Sequence, residues 1–344
     1  MININELTEQ ELSEYIESLG EKKFHAKQIY KWLHKVNVET FDEMTDISKS
    51  LREKLKENTY IDVLEIITVQ KSKDGTHKFL IKLHDNNAIE SVFMRYNHGN
   101  TLCVSSQVGC KMGCSFCAST KDKFRRSLLA SEIEGQIIAV QKYMNEKISN
   151  VVYMGIGEPL DNYDNVVKSI KQINNPNGLG IGARHLSLST SGIVPNIYRL
   201  ADEKIQATLS ISLHAVTDEK RREIMPVAKK YSLKELLDAC RYYIIQTGRR
   251  ISFEYALIAG VNDTKEDAIA LIKLLRGMIA HVNLIPVNEI KERDFKKSTE
   301  NSIENFMNTL NSAGIVTTVR RELGKDIDAA CGQLRQKYLD EINE

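Results

Sequence analysis

No stretch of this 344-residue chain stays apolar for the roughly 18 positions that a membrane-spanning helix needs. The first twenty residues, MININELTEQELSEYIESLG, are polar and acidic, without the apolar centre of a secretory leader. A cytoplasmic location with no membrane partner is expected. An excess of one charge is missing too. The 47 Lys and Arg against 46 Asp and Glu give no overall positive field for nucleic acid, and only local basic patches remain open. There is no low-complexity tract and no Pro- or Gly-rich linker, so the parts of the chain should pack against one another. Six cysteines in a long chain of reducing surroundings do not make a disulfide framework; where they cluster, metal binding or catalysis is the expectation.

What is present changes rhythm along the chain. Residues 1–60 read as a helical module: Thr8 and Glu11 have capping-box spacing, Gly20 is placed to end the helix that follows, and HAKQIYKWLHKV and ISKSLREKLKEN are helical patterns. Residues 61–98 read as a β-meander, with VLEIITVQK, HKFLIKL and AIESVFMRY separated by Asp74-Gly75 and Asp85-Asn86-Asn87. Residues 99–322 alternate strand and helix. TLCVSSQ, VVYMG, HLSLST, ATLSISLH, ISFEYALI and HVNLIPV are the strand candidates, and six repeats against the eight of a full barrel predict an α/β fold, an open partial (β/α)6 TIM-like barrel with its site at the carboxyl ends of the strands. Residues 323–344 form a C-terminal segment.

The densest chemical signal is GCKMGCSFC, with Cys110, Cys114 and Cys117 after the first barrel strand. A structural zinc site takes four ligands, commonly in two pairs, and no second CxxC pair exists here. Three thiolates on a [4Fe-4S] cube leave one iron for an outside ligand; a zinc knuckle is the alternative. At later strand ends stand Gly155-Ile156-Gly157-Glu158-Pro159, Ser189, Ser212-Leu213-His214 and Asn288, each readable alone as a turn former or cap. Of the remaining cysteines, Cys240 shares a helical face with Leu233, Leu236, Leu237 and Ile244 and reads as a buried small hydrophobe. Cys331 lies in the small-residue stretch DIDAACGQL, and Cys103 lies seven residues before Cys110. In AIESVFMRY, Glu90 shares its period-2 face with Val92 and Met94, surroundings that make a carboxylate a better base; the alternative is an edge-strand glutamate reaching solvent. Lys22, Lys23, Lys27, Lys31 and Lys35, together with Lys121, Lys123, Arg125 and Arg126, are candidate phosphate contacts, although such faces are usually only solvated.

The spacing Cys-x3-Cys-x2-Cys with Phe116 before the last cysteine resembles the radical S-adenosylmethionine (SAM) superfamily, and GIGEP resembles its GGEP-type turn. The resemblance sharpens through KKFHAKQIYKWLHK, SKDGTHKFLIKL, TLCVSSQVGCKMGCSFCAST, MGIGEPLDN, LSTSGIVP, EYALIAGVND, NLIPVN and DIDAACGQLR, which are similar to the RlmN/Cfr family of RNA methylases essentially end to end. CAST, GEPL and LIPVN favour the RlmN branch, which methylates C2 of adenosine, over the Cfr branch, which methylates C8; Lys121-Asp122-Lys123 departs from the family's glycine-rich stretch.

The resemblance implies one [4Fe-4S] cluster per chain on Cys110, Cys114 and Cys117. It implies SAM contacts from Gly157, Glu158, Ser189, Ser212, Leu213, His214 and Asn288. Cys331 is implied as an S-methylcysteine carrier, Cys103 as the thiol that resolves the RNA adduct through a transient disulfide with Cys331, and Glu90 as proton acceptor. The implied partners are 23S ribosomal RNA, transfer RNA, a one-electron donor such as flavodoxin or ferredoxin, and a thiol reductant, with the protein a monomer. C8 methylation of the same ribosomal adenosine and a non-catalytic metal-bearing RNA-binding protein are the other readings.

Overall fold

The computed structural model describes residues 1–117, 119, 123–287, 295–324, 326 and 327. Its first element, β1 (Ile2–Asn3), leads into α1 (Glu9–Ser18), which starts as expected. Thr8 Oγ1 accepts the Glu11 amide at 3.2 Å, and Glu11 Oε2 accepts the Thr8 amide at 2.7 Å, so two helix-end donors are satisfied reciprocally. Next come α2 (Phe24–Lys31), prolonged by a π turn over Trp32–Val36, then α3 (Lys49–Asn58) and β2 (Thr59–Tyr60), which pairs in parallel with β1. Ile4, Leu12, Ile16, Ile29, Leu51 and Leu55 are wholly buried in a core belonging to this module.

The meander follows as β3 (Glu65–Lys71), β4 (His77–Lys82) and β5 (Ala88–Tyr96), antiparallel throughout. It is continuous with the barrel: β5 pairs with β6 (Gly99–Cys103) in the same sheet. The short antiparallel pair β7 (Gln107–Val108) and β8 (Arg126–Ser127) brackets the cysteine loop. Beyond it run α4 (Ala130–Met144), β9 (Asn150–Tyr153), α5 (Tyr163–Asn174), β10 (Leu186–Thr190), α6 (Val194–Asp202), β11 (Thr208–Ser212), α7 (Asp218–Ile224), α8 (Leu233–Thr247), β12 (Ile251–Leu257), α9 (Lys265–Leu275), β13 (Ala280–Pro286), α10 (Glu300–Ser312) and β14 (Val316–Val319). The six expected parallel strands are β6 and β9 to β13, and β14 adds a seventh that the periodicity did not announce.

Period-2 alternation assigns the two faces of this sheet. Leu186, Leu188, Leu209, Ile211, Ile251, Phe253, Val282 and Leu284 belong to the main core, where the helices cover them. The alternate positions are polar, and the register lines them up across strands: Ser189 opposite Ser210, Ser212 opposite Glu254, and Glu254 opposite Asn283. The outer face therefore holds the fold and the inner face offers a polar lumen.

The sheet order is β14-β13-β12-β11-β10-β9-β6-β5-β4-β3. Laid flat at about 4.8 Å per strand, its edges would stand roughly 43 Å apart. Yet the Gly324 amide, five residues past Val319, donates to Asp74 Oδ2 at 2.8 Å in the turn after β3. Five residues reach at most about 18 Å. The sheet is thus curled into an open barrel, and the chain after β14 crosses its gap.

Candidate active site

The cysteine loop is pinned by backbone geometry. Gly109 has φ +77°, and a Cβ there would lie 2.5 Å from the Lys123 carbonyl oxygen, so only glycine allows the outgoing and returning strands of the loop to touch. The Ser115 amide donates to the Ile224 carbonyl at 2.9 Å, fastening the loop to the end of α7. Beneath it Cys114, Ala215, Ile224, Met225, Ala256 and Ile258 form an apolar bed. Burial, with Cys117 nearby, pushes the Cys110 thiol up to about 12; burial and the two neighbouring thiols push Cys114 the same way. Such thiols become thiolates against a compensating metal charge. Among the described residues no three His, Cys, Asp or Glu side chains gather tightly enough for a metal ion, which needs thiolates roughly 3.8 Å apart around bonds of about 2.3 Å. Three cysteines in one short loop match the thiolate donor set of an iron-sulfur cluster.

The GIGEP turn presses against the chain entering that loop. At Gly157, φ +113°, a Cβ would meet Gln107 Cβ and Ser106 Oγ at 2.7 Å. Glu158 is buried, and burial raises its pKa while hydrogen bonds oppose the rise. Its carboxylate accepts from Thr190 Oγ1 at 2.6 Å, the Ser191 amide at 2.7 Å and the Leu160 amide at 3.0 Å. The side chain thus buttresses the turn and the end of β10. Ser189 and Ser212 lie on the lumen face, and Leu213 is wholly buried. His214, at φ +57°, accepts the Ala256 amide on Nδ1 at 2.9 Å and meets the Phe116 ring edge-on at 4.6 Å between centroids. Burial, aided by Arg221, holds its pKa down at about 3, so this ring is neutral and docks the cysteine loop as an apolar plate with one acceptor.

Arg221 was not singled out in the sequence. It is wholly buried and donates to the carbonyls of Ser191 at 2.7 Å, Ser212 at 3.2 Å and Leu213 at 3.2 Å, tying the ends of β10 and β11 together. Its signal was a basic residue in the first helix after the SLH stretch, indistinguishable there from a solvated one.

Glu90 and Cys103 meet across β5 and β6. Cys103 stands directly opposite Val92, and Glu90 is two residues from Val92 on the same face, so the carboxylate and thiol are diagonal neighbours with Cα atoms roughly 7–8 Å apart. Both are buried, at 3% and 7% exposure. The edge-strand alternative fails because β5 is interior to the sheet. The expected apolar face needs a correction: Lys78, opposite Val92 on β4 and wholly buried, places Nζ 3.1 Å from Glu90 Oε2. The surroundings of this carboxylate are therefore ionic as well as apolar. Cys240 is wholly buried with its thiol raised to about 12 by burial, as its helical face implied. Asn288, Lys121 and Cys331 lie outside the described residues.

Residues 2–61 match the family described as ribosomal RNA large subunit methyltransferase N-terminal domain, and residues 104–275 match the radical SAM superfamily. A curated protein of Clostridium perfringens (strain 13 / Type A), named probable dual-specificity RNA methyltransferase RlmN, is 57% identical over 340 residues, covering 98% of each chain. The chain belongs to the RlmN family. A relative of the same name from Lachnospira eligens is 54% identical over all of this chain and 99% of its own. The crystal structure of a radical SAM methyltransferase from Sphaerobacter thermophilus superposes with a TM-score of 0.91 at 39% identity, covering 97% of this chain and 99% of that one. This RlmN-family chain is a radical SAM RNA methyltransferase, and its family implies an iron-sulfur cluster, SAM and an RNA substrate.

The basic candidates divide. Lys22, Lys27, Lys31 and Lys35 are exposed on the N-terminal module, and Lys23 pairs with Glu17 at 3.0 Å. Arg126 is engaged internally, donating to Asp85 at 2.6 Å and to both oxygens of Glu132 at 2.7 Å, so it braces the turn before β5 against α4 and has no free fork for phosphate. Among the described residues no helix is long and apolar enough to cross a membrane.

Proposed function

We propose that this chain methylates C2 of adenosine, at adenosine 2503 of 23S ribosomal RNA and adenosine 37 of a subset of transfer RNAs, through a methyl group carried on cysteine. The observation that carries this reading is the adjacency of Glu90 and Cys103 on one buried face, just upstream of the cysteine loop: a base and a thiol where a covalent adduct must be taken apart.

Cys110, Cys114 and Cys117 would hold one [4Fe-4S] cluster per chain, which when bound with SAM supplies one-electron cleavage to a deoxyadenosyl radical, the electron coming from a flavodoxin or ferredoxin. Gly157, Ser189, Ser212, Leu213, His214 and Asn288 would line the SAM seat, with Glu158 shaping its turn. Adenine C2 is electron-poor and cannot attack a sulfonium, so this chain's thiols do the carrying. Cys331 as thiolate takes a methyl group from one SAM by displacement. Hydrogen abstraction, which uses a second SAM, joins that carbon to C2, leaving the base attached to Cys331. Glu90 accepts the C2 proton, and the unpaired electron left on the adduct passes to a one-electron acceptor such as the oxidised flavodoxin or ferredoxin, which restores the aromatic ring. The Cys103 thiolate then attacks the Cys331 sulfur: the sulfur–sulfur bond forms, the carbon–sulfur bond breaks, and its electron pair stays with the carbon, which takes a proton to become methyl. An external thiol reductant returns both cysteines. The chain would work as a cytoplasmic monomer.

The test is digestion of RNA after anaerobic turnover and location of the new methyl group. Methylation at C2, lost in Cys331→Ala, supports the reading; a C8 product, or C2 product from Cys331→Ala, overturns it.

A further inference from the structure

The turn between β3 and β4 does more than join two strands. Within it the Ser72 amide donates to the Thr76 carbonyl at 2.8 Å, and Asp74 Oδ1 accepts the Thr76 amide at 2.9 Å, so the turn is locally complete. Its remaining groups reach to residues some 250 positions away. Asp74 Oδ2 accepts the Gly324 amide at 2.8 Å, the Lys73 amide donates to Asp326 Oδ2 at 3.1 Å, and Ser72 Oγ donates to Asp326 Oδ1. On the far side Gly324 is buried with φ +65°, and the Ile327 amide turns back to its carbonyl at 3.2 Å. The turn is itself held: Arg95 Nη1 donates to the Gly75 carbonyl at 3.2 Å.

This contact joins the two open edges of the barrel, β3 and β14, and Asp326 precedes Cys331 by five residues. A chain of five residues spans at most about 18 Å, so the place where it is fastened limits where its far end can go. We propose that Ser72, Asp74 and Asp326 are positioning residues that fasten the chain at the barrel's gap and thereby set the reach of Cys331. The inference rests on the carrier role given to Cys331 under Proposed function. Two charge-assisted bonds from backbone amides fix direction as well as distance, which a purely apolar contact would not.

The latch separates two demands on the carrier thiol. It must be methylated, and it must then meet the base beside Cys103 and Glu90. A loosened latch lowers the fraction of time that the thiol spends where either step needs it.

The experiment compares full-length Asp74→Ala, Ser72→Ala and Asp74→Asn, the last keeping one side-chain oxygen to accept the Gly324 amide. Hydrogen exchange of peptides covering 320–327 reads the latch directly, and steady-state RNA methylation reads its use. The expected result for Asp74→Ala is exchange in 320–327 faster by about tenfold, kcat lower by a similar factor, an RNA KM within about twofold of the parent, and partial recovery of both effects in Asp74→Asn, whose one oxygen serves only one of the two amides that Asp74 accepts. Ser72→Ala should show a smaller effect of the same kind, which covers the case of Asp74→Ala folding poorly. Faster exchange with unchanged kcat overturns the proposal, as does unchanged exchange in both alanine variants. Cys331→Ala in parallel distinguishes the failures: if it stays active, the carrier reading has failed, whereas an inactive Cys331→Ala beside a fully active Asp74→Ala removes only the latch.

Discussion

Replacing Lys78 by Met keeps an unbranched stem and deletes the ammonium, which isolates the electrostatics of a buried pair. Lys78 Nζ lies 3.1 Å from Glu90 Oε2, with side-chain exposures of 0% and 3%. An effective dielectric of about 20 gives an attraction of about 5 kcal/mol at that separation. Desolvation of both ions cancels much of it, so the pair compared with two well-packed apolar side chains contributes little. Removing one partner is different, because the buried carboxylate loses its counter-charge and keeps its desolvation; the expected loss is about 3–5 kcal/mol. The double variant Lys78→Met/Glu90→Leu should recover most of that loss, since neither charge of the pair is then left buried. Urea unfolding followed by far-ultraviolet circular dichroism measures it, with slopes compared to confirm that the same surface unfolds in each variant. RNA methylation should fail in both, for different reasons: Lys78→Met misplaces the base and the double variant lacks it. A Lys78→Met protein within about 1 kcal/mol of the parent, or a double variant damaged as much as the single one, would refute the claim that this lysine holds Glu90 in place.

Gly157→Ala forces a side chain into φ +113° with its Cβ 2.7 Å from Gln107 Cβ and Ser106 Oγ, and the strain is on the order of 1–3 kcal/mol. SAM affinity by calorimetry should fall by about tenfold or more, and unchanged binding would remove this turn from the SAM seat. His214 predicts a pH response whose sign follows from its burial. The folded-state value of about 3 is depressed from 6.5, so the unfolded chain takes up this proton first. Stability from this source is complete above about pH 7, declines as pH falls from 6.5 toward 3, and at its steepest changes by about 1.4 kcal/mol per pH unit. His214→Gln should flatten that slope in parallel denaturation series; an identical slope in the variant would mean that this ring is not the group responsible.

Much of the barrel was legible because its outer face is paired by alternation alone. In HLSLST the leucines of β10 must lie on one face and the serines on the other, whichever strands stand beside them, and the same holds for ATLSISLH in β11. Helix starts were legible for the same local reason, as with Thr8 and Glu11. β14 was not, because VTTV is short and mostly exposed, and its pairing to β13 draws on a neighbour some 35 residues upstream. Arg221 escaped because what distinguishes it is three carbonyls at the ends of other strands.

Lys78 is the instructive case between these. Alternation in HKFLIKL puts Lys78, Leu80 and Lys82 on one face, and alternation in AIESVFMRY puts Glu90 with Val92, but neither pattern says that the faces coincide. The hairpin turn does. Asp85-Asn86-Asn87, with Asn86 at φ +62°, fixes a short connection from β4 to β5, which sets Lys82 opposite Ala88 and hence Leu80 opposite Glu90 and Lys78 opposite Val92. From there a glutamate on an interior strand needs a charged or hydrogen-bonding partner, and Lys78, one diagonal step away, is a partner that the register supplies. Extending the row by one strand reaches Cys103, opposite Val92 on its other side. The base and the thiol assigned to the last step of the reaction are thus fixed by the registers of two successive strand pairings. A one-residue slip in β5 would turn Glu90 to the opposite face, away from Lys78 and Cys103 together.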